Sequence, residues 1–285
     1  MVEHAPLLFE GIMSIEPEMA SGGLSLVGIV REDNQDSIQL PRDTDPCESH
    51  GSLFAVADGM GGFMHGGIAS SVAVQSLFET FYTSNPKNVV ANLKMGVQAA
   101  NTGIFKKAQQ LGVTRMGTTL TAAHIAKNKL TIAHVGDSRL YLIRDGDSKV
   151  LTQDHTQVGE MVRMKILTPD KIRTHVNRSV LNRCLGMDLF VQPDITEQTI
   201  QSGDVLILCT DGVWSVIEDD EFGTYTRAYP DVDTLTQKLL DVAMERETDD
   251  NISVIAVHIR DLGNHTAPVE TRRGLFRRVF PARSS

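Results

Sequence analysis

The chain has 285 residues, 41% of them apolar and 22% charged, with a net charge of −9. That length supports one large domain or two small ones around a sizeable core, and the acidic balance argues against nucleic acid as a partner. Three cysteines without CxxC spacing, Cys47, Cys184 and Cys209, argue against a disulfide framework or a zinc knuckle and point to a reducing, cytoplasmic compartment. No run approaches the ~20 apolar residues of a membrane span.

Residues 1–23 hold Glu3, Glu10, Glu16 and Glu18 but no Lys or Arg, and read as an acidic tail before a body over 24–262. Leu24–Val30 and Ser52–Ala57 read as strands. A helix over 66–82 places Ala69, Ala73, Leu77 and Phe81 on one face. The next helix takes Asn85 as N-cap and Pro86 as its first residue, then repeats Val90, Leu93, Val97, Ala100, Ile104, Ala108 and Leu111 at three and four. Thr118–Ala126, Leu130–Val135 and Arg139–Ile143 are consecutive strands with short connections, which implies antiparallel pairing. Asp145-Gly146 turns the chain into Lys149–Leu151. A polar, helical insert is expected over 156–182. Strands return at Asp194–Ile200, Val205–Thr210 and Ile252–Ile259, with a helix over 232–246 before the last. Grouped strands and grouped helices predict an α+β layered sandwich. Residues 263–285 carry Arg272, Arg273, Arg277, Arg278 and Arg283 among Leu275, Phe276, Val279 and Phe280. They read as a disordered basic tail, the alternative being contact with an acidic membrane or a partner.

Five segments place aspartate beside glycine, serine or an amide: Asn34-Gln35-Asp36, Val56-Ala57-Asp58-Gly59, Val135-Gly136-Asp137-Ser138, Cys209-Thr210-Asp211-Gly212 and Asp249-Asp250-Asn251. Three of them follow an apolar run, so a strand delivers each carboxylate to a sheet edge. Converging carboxylates repel one another unless a cation sits between them. Oxygen ligands without a His/Cys cluster select Mg²⁺ or Mn²⁺, and the spacing excludes an EF-hand loop. Two such ions about 3.5–4 Å apart can share a bridging water and lower its pKa toward neutrality, giving a hydroxide for in-line attack on phosphorus. Arg31, five residues before Asp36, offers a planar fork suited to phosphate. Taken singly, each aspartate is as well explained as a turn residue at a strand end.

The ordered series Val30-Arg31-Glu32-Asp33-Asn34-Gln35-Asp36, Ala57-Asp58-Gly59-Met60-Gly61-Gly62, Gly117-Thr118-Thr119, Val135-Gly136-Asp137-Ser138-Arg139, Leu151-Thr152-Gln153-Asp154-His155, Cys209-Thr210-Asp211-Gly212-Val213-Trp214 and Asp250-Asn251-Ile252-Ser253-Val254 resembles the metal-dependent protein phosphatase family (protein phosphatase 2C) in its bacterial form. The resemblance covers about 24–260. It implies a central antiparallel β-sandwich flanked by helix pairs, four layers α-β-β-α, with a metal cleft at one end. By the same resemblance Asp58 bridges two metals, the Gly59 carbonyl binds one of them, and Asp211 and Asp250 bind the other. Asp36 acts through bound water, Asp137 joins Asp211 at a third, looser ion, and Arg31 binds phosphate. The insert over 156–192 stands in the place of the family's flap.

The pattern is broken at Gln35, where many members have Glu. It is broken again at Met60, which carries no proton to donate in place of the proposed acid His, and at Phe63 and Gly67, with His65 nearby. The resemblance therefore implies a phosphoserine/phosphothreonine protein phosphatase, monomeric, dependent on Mn²⁺ or Mg²⁺, acting on phosphorylated proteins and opposing a serine/threonine kinase. The broken positions favour the rival reading, a weak or inactive phosphatase-like binding module. An aspartyl-phosphate phosphotransferase ranks last, because Asp58 is followed by Gly59-Met60 and not by the Asp-x-Asp spacing of that class.

Overall fold

The computed structural model describes residues 17–61 and 65–262. In chain order the elements are β1 (Glu18–Leu26), β2 (Asp36–Gln39), α1 (Cys47–His50), β3 (Ser52–Gly61), α2 (His65–Thr83), α3 (Val89–Leu111), β4 (Met116–Thr118), β5 (Leu120–Ala126), β6 (Lys129–Val135), β7 (Arg139–Arg144) and β8 (Asp147–Val150). They continue with α4 (Gln157–Arg163), β9 (Asp194–Thr199), β10 (Val205–Cys209), α5 (Asp211–Trp214), α6 (Asp219–Ala228), α7 (Val232–Glu245) and β11 (Ile252–Asp261). Among the described residues no helix is long and apolar enough to cross a membrane.

Two antiparallel sheets stack face to face. One has the order β1-β11-β10-β7-β8, the other β2-β3-β5-β6-β9, with β4 paired to β3. The strands read as near-continuous apolar runs because both faces of each sheet are covered. Side chains alternate across each sheet. Phe54 and Val56 of β3 meet Leu206 and Leu208 of β10 between the sheets. Leu53, Ala55 and Ala57 face α2 and α3 on one outside. Ile207 and Cys209 face α7 and Trp214 on the other. The expected four layers are therefore present, and the short β5–β6 and β7–β8 connections give the expected antiparallel pairs; β6 and β7, also expected to pair, lie in different sheets, because the chain crosses from one to the other at Gly136, with its φ of 109°.

Several boundaries differ from the sequence expectation. The first strand runs from Glu18 to Leu26 and pairs with β11 over its whole length, so residues 18–23 belong to the sheet and the body starts before position 24. Its Met-Ala-Ser-Gly-Gly stretch has little intrinsic strand preference; the β11 ladder supplies the order. The strand stops where Gly28 takes a left-handed φ of 81° and Asn251 Nδ2 caps the Val27 carbonyl at 2.7 Å, leaving Ile29 and Val30 exposed. Asn85 is not the cap of α3. It heads a separate turn, its Oδ1 accepting from Lys87 N at 3.0 Å, and the helix starts one turn later with Asn88 as N-cap. The 156–182 insert is mostly turns around α4 and a short 3-10 turn at Pro169–Lys171. β2, α1, α5 and α6 have no counterpart in the sequence reading. The remainder of the acidic tail, residues 1–16, together with the basic tail and Phe63, lies outside the described residues.

Candidate metal centre

The aspartates reach one place because their strands end at one edge of the sandwich. Antiparallel register sets Asp36 of β2 directly opposite Asp58 of β3. Asp137 lies in the tight β6–β7 connection. Asp211 opens α5 straight after β10, and Asp250 stands two residues before β11, the partner of β10. The backbone around Asp58 is held from both sides. Its N–H donates to Thr119 Oγ1 at 2.8 Å, and its carbonyl accepts from Thr118 Oγ1 and Thr119 N, each at 2.8 Å. Gly59 packs so closely that a Cβ there would stand 2.0 Å from the Gly66 carbonyl oxygen, a contact no other residue could make.

An open cleft of about 610 Å³ is walled by Arg31, Asp58, Gly59, Asp137, Asp211 and Asp250, together with Ser179 and Leu181 of the insert. Met60 also lines it, whereas His65 does not. Asp36 is not part of that wall and is buried, its carboxylate turned toward the other sheet. Its Oδ2 accepts from Ser253 Oγ at 2.6 Å and Thr210 Oγ1 at 2.8 Å.

The electrostatics of the cluster are those of carboxylates crowded out of water. Burial pushes Asp36 up to about 7, with the charges of Asp211 and Asp250 adding and the Ser253 and Thr210 hydroxyls opposing. Asp211 rises to about 6 through burial and then the Asp250 charge, with a hydrogen bond to Asp58 working the other way. Asp58 and Asp137 are driven well above the ordinary carboxylate range, first by burial and then by the neighbouring aspartates. Asp58 and Asp211 keep an edge open to the cleft, yet protein surrounds each enough for desolvation to dominate.

In the form described, Arg31 meets one carboxylate of the cluster. The Arg31 guanidinium donates to Asp250 Oδ2 and to the Asp249 carbonyl, at 2.8 and 2.9 Å. Among the described residues no three His, Cys, Asp or Glu side chains form a ready ion cage. The donor chemistry nevertheless fits hard divalent ions. Every group is an oxygen, the charges repel in mutual proximity, and Asp36 Oδ1 and Asp211 Oδ1 are buried without a partner. A buried carboxylate oxygen left so is costly, and a divalent cation supplies what it lacks.

Two positions to which the sequence motifs assigned no role at the centre organise it. Asn251 receives Gln35 N on its Oδ1 and donates to the carbonyls of Val27 and Asp33, which fixes the loop carrying Arg31 and Asp36. Its place beside Asp250 was the only signal. Trp214, buried at 1% exposure, bonds the Asp137 loop. Asp154 and His155 are organisers: Asp154 pairs with buried Arg139, and His155 exchanges backbone and ring hydrogen bonds with Gly136. The cap of α4 is Thr156.

The sequence model of the Protein phosphatase 2C family matches residues 27–252. A putative protein phosphatase 2C-type protein of Streptococcus pyogenes is 31% identical over 236 residues, 81% of this chain and 94% of that protein. The serine/threonine protein phosphatase PstP of Mycobacterium tuberculosis is 32% identical over 82% of this chain, which spans 44% of that longer protein. The crystal structure of the M. tuberculosis phosphatase PstP/Ppp superposes with a TM-score of 0.76 at 31% identity, over 85% of this chain and 99% of that one. The PstP catalytic domain in complex with two manganese ions gives 0.74 at 30% identity, over 85% and 99%. By sequence and by fold, this chain belongs to the protein phosphatase 2C family.

Proposed function

We propose that this protein is a metal-dependent serine/threonine protein phosphatase that hydrolyses phosphoserine and phosphothreonine monoesters on other proteins. The observation that carries the reading is the convergence of Asp36, Asp58, Asp137, Asp211 and Asp250, from five separate segments, beside one open cleft that also holds Arg31. Asp58, Asp211, Asp250, Asp36 and the Gly59 carbonyl are the groups to hold two Mn²⁺ or Mg²⁺ ions, and Asp137 with Asp211 a third. Such ions supply an activated water and offset charge on the phosphoryl oxygens.

The chain's own residues do the rest. Asp36 and Asp58, on paired strands, cannot separate without breaking the β2–β3 ladder, so the acidic cluster is pre-organised. Arg31 is exposed enough to leave Asp250 for an incoming phosphate and to meet it with two parallel N–H donors. Phosphoproteins made by a cognate serine/threonine kinase are the substrates we expect, met by a monomer. A cytoplasmic site of action agrees with three free thiols.

The test is hydrolysis of a phosphothreonine peptide and of a phosphotyrosine peptide by protein stripped with EDTA, with and without added Mn²⁺. Stripped protein should be inert and Mn²⁺ should restore turnover, with the phosphothreonine peptide clearly preferred. Full activity after stripping ends this reading, and so does inactivity at saturating Mn²⁺.

A further inference from the structure

A cavity of about 270 Å³ lies at the end of the first sheet remote from the aspartates. Ile143, Val205 and His258 stand side by side on β7, β10 and β11 and share the helix-facing side of that sheet. Val232 and Leu235 of α7, Arg227 near the end of α6 and the β7–β8 turn at Asp145 and Gly146 complete the wall. Val205 opens β10 and Cys209 ends it, about 13 Å further on at the usual strand rise. The acidic cleft begins beyond Cys209, at Asp211, so the two sites are separate.

Two features of this wall call for a ligand that carries both charges. The first is a pair of opposite charges that do not meet. Asp145 and Arg227 both line the cavity, yet neither has an ion pair or a side-chain hydrogen bond among the described residues. Arg144 does not satisfy Asp145, because its guanidinium is committed to Asp204 at 2.8 and 2.7 Å. The spacing of the two charges is built in. Gly146 has a left-handed φ of 85°, and a Cβ there would stand 2.4 Å from Arg227 Nη1. A Cβ on Gly223 of α6 would stand 2.0 Å from the Gly146 carbonyl oxygen. Turn and helix are therefore packed backbone to backbone, as only glycine allows, and this holds Asp145 and Arg227 beside one cavity. The second feature is the aliphatic surface next to them: Ile143, Val205, Val232 and Leu235 are all buried.

A small molecule with one cationic group, one anionic group and an aliphatic body answers both features at once. We propose that this cavity binds a free α-amino acid with an apolar side chain. Its carboxylate meets the planar fork of Arg227, its ammonium meets Asp145, and its side chain lies on Ile143, Val205, Val232 and Leu235. A plain carboxylic acid would leave Asp145 unmatched and repelling, and a plain amine would do the same at Arg227. The zwitterion alone matches both. His258 is also without a hydrogen-bond or ion-pair partner among the described residues, and its ring, beside Val205, reports whether the cavity is filled.

The test uses the full chain with ¹⁵N-labelled histidine and follows the His258 ring by NMR, its signal assigned by its loss in His258→Gln. Leucine should move that signal saturably, with half-saturation at or below about 1 mM. Glycine lacks the aliphatic body, isocaproate lacks the ammonium and isoamylamine lacks the carboxylate; each should bind at least about tenfold more weakly than leucine. Arg227→Gln and Asp145→Asn should each lose about tenfold in leucine affinity. Both side chains are exposed, and asparagine accepts the left-handed φ of position 145, so the variants keep the fold. Absence of a saturable shift at His258, isocaproate or isoamylamine binding as tightly as leucine, or unchanged leucine affinity in either variant each overturns the proposal.

Discussion

Trp214 donates its indole N–H to the main-chain carbonyl of Asp137 at 2.9 Å. Since Trp214 closes the short helix that Asp211 opens, one ring ties together two of the converging aspartate loops. Arg139 lies 3.7 Å over the ring centroid and is gripped by Asp154. From the insert, Arg173 donates to the Trp214 and Ile217 carbonyls. Trp214→Phe keeps an aromatic ring but leaves the Asp137 carbonyl without its donor and a small void beside it. The expected cost is about 2–4 kcal/mol in stability and about tenfold in Mn²⁺ half-saturation. Urea denaturation and Mn²⁺-dependent activity measure the two.

Asp58→Asn and Asp211→Asn should lower turnover of a small phosphate ester by about three orders of magnitude. The metal-free variants should nevertheless melt at or above the temperature of the parent, by about 2–4 °C at pH 7.5. Burial raises both carboxylates above their ordinary range, so the parent is destabilised by ionising them, and the amide removes that cost. Scanning calorimetry in EDTA gives the answer; a large fall in melting temperature would mean that these aspartates are structural.

Arg31→Ala should raise KM for the phosphate ester about tenfold while kcat changes by less than about threefold. The exposed pair with Asp250 contributes little to stability. Arg31→Lys should recover only part of the affinity, because an ammonium cannot reproduce the two parallel bonds. Steady-state kinetics on the three proteins separates orientation of phosphate from general charge attraction.

Acid lability should trace in part to His134. Burial, with the charge of His155 adding, pulls its pKa from 6.5 down to about 3, while the bond to the Gln153 carbonyl opposes. The unfolded chain takes up a proton that the folded chain refuses. The histidine's contribution is therefore whole above pH 6.5 and is lost as the pH falls toward about 3, amounting to about 2 kcal/mol by pH 5. His134→Gln should flatten this limb relative to the parent. Measuring the difference between the two proteins cancels the opposing contribution of the aspartates, which gain protons over the same range.

The helices α2 and α3 were readable to within a few residues, because Ala69, Ala73, Leu77 and Phe81, and then Leu93, Val97, Ala100 and Ile104, repeat at helical spacing and are buried for that reason. The first strand was misplaced because Met19 to Gly23 has no pattern of its own and is ordered by its partner β11. Asn85 misled because a good capping residue also makes a good turn, and Asn88 was only three residues further on. The acidic centre was legible as a set of Asp-containing strand ends, each weak alone. The burial of Asp36 against Thr210 and Ser253, the turning of Arg31 onto Asp250 and the Asn251 clamp were not legible.

The order of residues alone determined which side chains were available for chemistry, five aspartates, three of them at the ends of apolar runs, and an arginine, because side-chain type and strand periodicity are local properties of the chain. Tertiary structure decided which of those oxygens lost their water and their partners. Desolvation and mutual charge depend on strands more than two hundred residues apart, such as β2 and β11, ending side by side, as when Ser253 reaches across to Asp36.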